Sequence, residues 1–243
     1  MPETQGDITP LGIYIHVPFC SSRCGYCDFN TYTATELGSS VRRDDFHHVL
    51  AAEVALSAAA LGAAARPATT VFVGGGTPTL LGAEGLRTVL DAVRSEYGLA
   101  DGAEVTTEAN PDSVDESMLI DLRSAGFTRI SFGMQSSAPN VLATLDRTHT
   151  EGAGPAAARM ARACGFDHVN LDLIYGTPGE TDDDLRRSVV DALEADVDHV
   201  SAYALIVEDG TPLARRIRRG EIPMPDDDVA ADRYAIVDDL MSA

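Results

Sequence analysis

The sequence predicts an α/β fold in which parallel strands are covered by helices. Short runs of aliphatic and β-branched residues alternate with longer segments whose apolar residues have helical spacing, and this alternation recurs about six times in 243 residues. A doubly wound sheet and a TIM-like barrel both give this pattern. In either fold the chemistry collects at the carboxyl ends of the strands.

Most of the predicted strands are short apolar runs that end near glycine, proline or asparagine. The first, 12–17, alternates aliphatic and aromatic residues and stops at Pro18, which cannot donate a hydrogen bond to a sheet. The second, 69–73, continues into the turn Gly74-Gly75-Gly76-Thr77-Pro78. The four later strands are predicted at 103–108, 128–133, 167–174 and 197–206.

The predicted helices are the segments with a period close to 3.6 residues. The first, 40–62, is rich in alanine, valine and leucine. Helix 115–125 is followed by Gly126, the residue type that most readily takes the left-handed conformation after a helix. The other helices are predicted at 83–97, 138–145, 151–164, 181–195 and 226–242, and the segment between 206 and 226 is predicted to be a loop.

The composition excludes several classes of partner. The formal net charge is −20, which argues against nucleic acid and against an anionic membrane surface, since both are bound through basic residues. We find no stretch of roughly 18 uncharged apolar residues, so no integral membrane segment is expected. Residues 1–10 lack the basic and apolar regions of a secretory signal. A cytoplasmic location is therefore predicted, where clustered thiols favour metal binding over disulfides.

Three of the four cysteines, Cys20, Cys24 and Cys27, lie in one short loop after the first predicted strand. So close a spacing lets three thiolates converge on one centre, and soft thiolates favour zinc, copper(I) or an iron–sulfur cluster. A structural zinc site or an ordinary four-iron cluster takes four ligands, whereas Cys164 is far away in sequence. Three ligands indicate a reactive site with one open position. Buried structural cysteines, or a zinc site completed by His16, are the alternatives.

Polar residues occur at or just beyond the ends of successive predicted strands. They are Glu108, Gln135, Arg147 and Asp172. The glycines nearby are explained by turn formation alone, but these four side chains are not. They indicate a polar binding site at the carboxyl edge of the sheet, and ordinary hydrogen bonding across the top of a barrel is the alternative.

The cysteine spacing resembles the cluster loop of the radical S-adenosylmethionine (SAM) superfamily. Further motifs resemble its oxygen-independent coproporphyrinogen III oxidase-like family. These motifs are Tyr14-Ile-His-Val-Pro-Phe-Cys20, Gly74-Gly-Gly-Thr-Pro-Thr79, Glu108-Ala-Asn-Pro111, Ser131-Phe-Gly-Met-Gln-Ser136, Arg147-Thr-His149 and Asp172-Leu-Ile-Tyr-Gly-Thr-Pro-Gly179. The resemblance implies a partial (β/α)6 TIM-like barrel, the radical SAM core, over 1–210. It also implies that residues 211–243 begin a C-terminal extension.

The resemblance also implies roles for individual residues. Cys20, Cys24 and Cys27 would bind three irons of a [4Fe–4S] cluster, and SAM would bind the fourth. Tyr14 would face the cluster and Tyr26 would flank the adenine. The methionine end of SAM would meet Gly76, Thr77 and Pro78. The polar groups of SAM, or a neighbouring substrate, would meet Glu108, Gln135, Arg147 and Asp172. No catalytic residue is assigned.

Two branches of the family differ just after the third cysteine. The oxidase, which decarboxylates two propionates of coproporphyrinogen III in heme biosynthesis, has a further cysteine where this chain has Phe29. Cys27-Asp28-Phe29 instead resembles the heme chaperone branch. That branch implies heme as cargo, heme-acceptor proteins and an electron donor as partners. Oxidase activity is the alternative, so whether the chain is an enzyme stays open.

The chain departs from the family in two places. The family usually has Leu-Gly-Arg where this chain has Leu145-Asp146-Arg147, and glycine is the residue that adopts unusual backbone angles most easily. A His-Asn…Tyr-Trp segment linked to heme binding is also absent, since the chain contains no tryptophan. We therefore expect the cluster and SAM sites here, but much of the heme site elsewhere.

Overall fold

The computed structural model describes residues 9–34, 36 and 42–242. The first eight residues of the N-terminal segment, and residues 40 and 41 of the first predicted helix, lie outside the described residues.

Six parallel strands form one sheet in the order β1-β2-β3-β4-β5-β6. Their bounds are Gly12–Val17 (β1), Ala68–Gly75 (β2), Leu99–Ala109 (β3), Arg129–Gln135 (β4), His168–Tyr175 (β5) and His199–Ala204 (β6). Each strand pairs with the next strand along the chain, as in a TIM-like barrel, whereas a doubly wound sheet reverses its strand order. The predicted α/β fold and its six parallel strands are confirmed.

Eight α-helices are described. They are Phe46–Leu61 (α1), Gly82–Glu96 (α2), Glu116–Ala125 (α3), Pro139–Thr144 (α4), Ala153–Ala163 (α5), Asp182–Leu193 (α6), Pro212–Arg218 (α7) and Asp227–Met241 (α8). Gly126 has the predicted left-handed conformation after α3, with φ of 104°. The prediction of a loop between 206 and 226 is wrong over α7, which begins with a capping hydrogen bond from the Ala214 amide to the Thr211 hydroxyl.

Helix α1 bears on the expectation that the chain has no integral membrane segment. Within the part of the chain that the structure describes, one helical stretch, Arg43–Ala64, is long and apolar enough to cross a bilayer by length and composition alone. This stretch contains Glu53 and is not a run of uncharged apolar residues, so it does not contradict the expectation from the sequence. One face of α1 packs against α2 and buries Leu50, Val54 and Ala58, which is also how the helix of an ordinary domain core looks.

The two faces of the sheet have different chemistry because side chains alternate along a strand. The outer face is apolar and packs against the helices through residues such as Ile15, Val73, Val105, Phe132 and Leu171. The inner face carries polar groups that include Glu108, Ser131, Asn170 and Asp172. The polar groups therefore point into the barrel.

A second, smaller core lies beside the cysteine loop. It is formed by Ala138, Val141, Leu145, Ile174, Leu205 and Leu213, with Tyr26 packed against it. Through this core, α4, the end of β5 and α7 all support the segment that carries the cysteines.

Candidate functional site

The cysteine loop follows β1 and is fixed by main-chain hydrogen bonds at several points. The Cys20 amide donates to the Tyr32 carbonyl at 3.0 Å, and the Tyr32 amide donates to the Pro18 carbonyl at 2.7 Å. In the middle of the loop, the Gly25 amide donates to the Leu145 carbonyl at 2.9 Å, while the Gly25 carbonyl accepts from the Leu213 amide at 2.8 Å. These last two bonds hold the loop between α4 and α7.

Asp146 occupies the position where the family usually has glycine. It adopts a left-handed backbone conformation, with φ of 50°, which aspartate tolerates better than most residues. Its carboxylate lies against Gly25, and its Oδ1 lies 3.7 Å from Nη1 of Arg216 on α7. The backbone geometry that glycine would provide is thus retained with aspartate.

Cys20, Cys24 and Cys27 all border one cavity of about 450 Å³ at the carboxyl edge of the sheet. Burial raises the pKa of the Cys20 and Cys27 thiols, and the neighbouring cysteines raise it further. Among the described residues, no three His, Cys, Asp or Glu side chains come close enough to hold a single metal ion. A four-iron cluster makes no such demand, because each thiolate binds a different iron.

The glycine turn after β2 contacts the cysteine loop directly. The Gly76 amide donates to the Val17 carbonyl at 2.8 Å, and the Thr77 amide donates to the Phe19 carbonyl at 2.7 Å. A Cβ on Gly76 would overlap the Phe19 carbonyl and lie 2.8 Å from the Cys20 sulfur. Glycine is therefore required for this close approach.

Two carboxyl groups face the cavity from neighbouring strands. Glu108 Oε2 accepts a hydrogen bond from the Gly75 amide at 2.9 Å, and burial raises the pKa of Glu108 to about 7, with the charge of Asp172 adding to the effect. Asp172 accepts hydrogen bonds from the side-chain amide of Asn170 at 2.7 Å and from the Ser131 hydroxyl at 3.2 Å. Burial raises the pKa of Asp172 as well. Such a pair suits a ligand with ammonium or hydroxyl donors.

Arg147 brings a cation into the same cavity. Its Nη1 donates to the Cys24 sulfur at 3.3 Å, its Nη2 donates to the Gly133 carbonyl at 2.6 Å, and its Nε donates to His149 Nδ1 at 3.2 Å. Gln135 has a left-handed backbone conformation at the end of β4, with φ of 66°, at an irregularity in the pairing of β4 with β5. Strain of this kind is often found at binding sites.

Ten of the twelve predicted site residues border this cavity. They are Cys20, Cys24, Cys27, Tyr26, Gly76, Thr77, Glu108, Gln135, Arg147 and Asp172. Tyr14 and Pro78 are not part of the cavity lining. Tyr14 is 59% exposed, its ring lies 6.1 Å from that of Phe72, and its hydroxyl is 3.0 Å from His16 Nδ1. Pro78 is buried at the start of a 3-10 turn.

Sequence reasoning missed several residues of the site. Asn170 and Ser131 bind Asp172 from the inner face of the sheet, and His149 binds Arg147. Asn170 could have been found, because it lies two residues before Asp172 and must share its face of the strand. The apolar side of the cavity is formed by Ile174, Tyr203, Leu205 and Ile206. Only Ile174 lies in a recognised motif, and it was not assigned to the site.

Comparison with known proteins is consistent with this geometry. Residues 14–192 match the Radical SAM superfamily. The chain is 61% identical over 234 residues to the heme chaperone HemW of Mycobacterium tuberculosis, covering 96% of this chain and 59% of that protein. It is 36% identical over 236 residues to the heme chaperone HemW of Escherichia coli, covering 97% of this chain and 60% of that protein.

Among solved structures, the chain resembles coproporphyrinogen III oxidase (HemN) from Escherichia coli, which is described as a radical SAM enzyme. The TM-score is 0.80 at 26% identity, and the match covers 95% of this chain and 53% of that one. The chain thus spans between half and two thirds of the length of these relatives.

Proposed function

The chain belongs to the radical SAM superfamily, and from that premise we propose that it holds a [4Fe–4S] cluster on Cys20, Cys24 and Cys27 with SAM beside it. The observation that carries this proposal is the single cavity bordered by all three thiols and by the polar residues at the strand ends. The donor set fits a cluster because it consists of soft thiolates. When bound, the cluster and SAM supply one-electron radical chemistry.

The residues around the thiols divide into three groups by what they can offer SAM. Gly76 and Thr77 present a surface without bulky side chains next to Cys20, where the methionine end of SAM would fit. Glu108, Gln135 and Asp172 provide acceptors for its ammonium and ribose hydroxyl groups. Arg147 provides donors for its carboxylate.

We further propose that the chain is the radical SAM part of a heme chaperone, with heme as cargo and heme-acceptor proteins as partners. The 61% identity to HemW of Mycobacterium tuberculosis supports this reading. Phe29 supports it as well, because this side chain is 59% exposed at the cavity where the oxidase branch has a further cysteine. In this role the chain has an electron donor and acts in the cytoplasm.

The likeness to coproporphyrinogen III oxidase favours a second candidate, the radical oxidative decarboxylation of coproporphyrinogen III. Both candidates need the same cofactors, so the cavity alone does not separate them. We also propose that residues 1–210 form the radical SAM core and that 211–243 begin a C-terminal extension. The family match over residues 14–192 supports that division.

One set of experiments tests these proposals. The chain is reconstituted with iron and sulfide without oxygen, and its EPR spectrum is recorded with and without SAM. We expect a reduced-cluster signal that SAM alters; an unchanged signal argues against SAM binding. Hemin is then titrated into the same sample, and coproporphyrinogen III is incubated with it under reducing conditions. Hemin binding without protoporphyrinogen IX formation supports the chaperone, and product formation supports the oxidase.

A further inference from the structure

We propose that His149 is a positioning residue for the SAM and cluster site, holding the Arg147 guanidinium in the orientation that meets the Cys24 sulfur and the cavity. This inference rests on the proposed function, because it assumes that the thiols hold a cluster. It concerns a residue that does not itself line the cavity but hydrogen-bonds one that does.

Arg147 is held at all three nitrogens of its guanidinium group. A guanidinium has five N–H donors in a rigid plane, so fixing three of its nitrogens fixes the direction of the remaining donors. Each nitrogen of Arg147 has a different acceptor: the Cys24 sulfur, the Gly133 carbonyl and His149 Nδ1. Of these acceptors, only His149 is a side chain that does not itself line the cavity.

His149 acts as a neutral hydrogen-bond acceptor. Its side chain is buried, with 8% of the residue exposed. Burial lowers the pKa of His149 to about 4, and the charge of Arg147 lowers it further, while Asp112 acts in the opposite direction. The imidazole is therefore neutral at pH 7. Since arginine can only donate, Nδ1 must be the accepting nitrogen and the proton must be on Nε2.

The chain segment next to His149 is held in place as well. The Thr150 amide and hydroxyl donate to Asp112 Oδ2 at 2.8 and 3.1 Å, and the Asp112 amide donates to the Asn110 side chain at 3.0 Å. The segment with His149 is thus bound to the loop after β3, and Asn110 borders the cavity. The backbone that carries the imidazole is therefore fixed next to this loop.

The consequence concerns the cluster directly. A hydrogen bond from a charged donor to a cluster sulfur stabilises the reduced state, and such bonds help to set cluster reduction potentials. If His149 directs Nη1 toward Cys24, removing its acceptor nitrogen makes the cluster harder to reduce. It also leaves the two other guanidinium donors less well aimed at a SAM carboxylate.

The test compares two substitutions at one position. His149→Asn keeps an acceptor oxygen close to the position of Nδ1, and His149→Leu removes the acceptor at similar volume. Both proteins are reconstituted without oxygen, and we measure the midpoint potential by EPR-monitored titration and the affinity for SAM. We expect His149→Leu to have a more negative potential and SAM affinity weaker by about tenfold, the lower end of the usual effect of losing a supporting residue. His149→Asn should stay within about threefold of the parent protein.

Two outcomes overturn the proposal. One is that His149→Leu has the potential and SAM affinity of the parent protein. The other is that both variants lose them equally, which would indicate a packing role only. Thermal unfolding of the cluster-free proteins shows whether His149→Leu has failed to fold. In that case His149→Asn decides: parent-like values support the proposal, and losses overturn it. Failure of the proposed function is distinct, because the parent protein would itself lack iron and sulfide.

Discussion

The main-chain amide of Gly75 donates a 2.9 Å hydrogen bond to Oε2 of Glu108, joining the glycine turn after β2 to the end of β3 at the cavity. This bond favours the charged carboxylate, but burial outweighs it and raises the pKa of Glu108 from 4.5 to about 7. The folded protein therefore binds a proton here more tightly than the unfolded chain does.

The first prediction follows from this difference. The stability that protonated Glu108 contributes is fully present below about pH 4.5 and is lost as the pH rises through about 7. In Glu108→Gln this dependence is absent. We expect the free energy of unfolding of the variant, relative to the parent, to rise by up to about 3 kcal/mol between pH 4.5 and 8.

Denaturant unfolding at several pH values measures this difference. Glu180, whose pKa burial also raises to about 7, is present in both proteins, so its contribution cancels. Glu53→Gln, which changes an exposed carboxylate on α1, is the matched control. A constant difference between Glu108→Gln and the parent across this range would contradict the prediction.

The second prediction concerns Gly76. A methyl group there would overlap the Phe19 carbonyl, which is main chain and cannot move without moving Cys20. We expect Gly76→Ala to destabilise the fold by about 1–3 kcal/mol and to lower the iron bound per chain after reconstitution. The control is Gly85→Ala within α2. The added Cβ there would have the Leu81 side chain as its nearest neighbour, at 3.1 Å. Equal iron content in the two variants would count against the close contact.

The third prediction concerns Gly25 and Asp146. A Cβ on Gly25 would overlap Asp146 Oδ2 and lie 3.1 Å from its Cγ. We expect Gly25→Ala alone to cost about 1–3 kcal/mol, and Asp146→Gly to recover most of that loss in the double variant. Asp146→Gly alone should change stability little, because it relieves a left-handed aspartate while losing a half-exposed ion pair with Arg216.

A double-mutant cycle by denaturant unfolding measures this coupling. We expect a coupling energy of about 1–2 kcal/mol, typical of residues in contact. If the two substitutions were additive, the carboxylate of Asp146 would not limit the space at Gly25. The aspartate would then have no part in shaping the cysteine loop.

Much of the fold could be predicted because its signals are local. The strands carry apolar runs, and the positions of Pro18 and Gly126 reflect single-residue backbone preferences. Helix α7 was missed because Pro212–Arg218 is too short to show a period and is rich in arginine. Its beginning was nevertheless marked, since Thr211 followed by Pro212 is a typical helix start.

The site was predictable to the extent that topology determines it. Parallel strands bring their carboxyl ends to one edge, so Glu108, Gln135 and Asp172 meet there whatever lies between them. Side-chain directions were not predictable. Tyr14 turns toward Phe72 and His16, and Arg147 turns toward a histidine two residues away. Both directions also depend on residues distant in sequence, Phe72 for Tyr14 and Cys24 for Arg147.

The most direct test of the central claim is the iron and acid-labile sulfide content after reconstitution without oxygen. We compare the parent chain with Cys20→Ala, Cys24→Ala and Cys27→Ala, and use Cys164→Ala, at the end of α5, as the control. We expect about four irons and four sulfides per chain in the parent and in Cys164→Ala, and a large loss in each of the other three variants. Parent protein that binds zinc without sulfide, or a full cluster in any of those three variants, would contradict it.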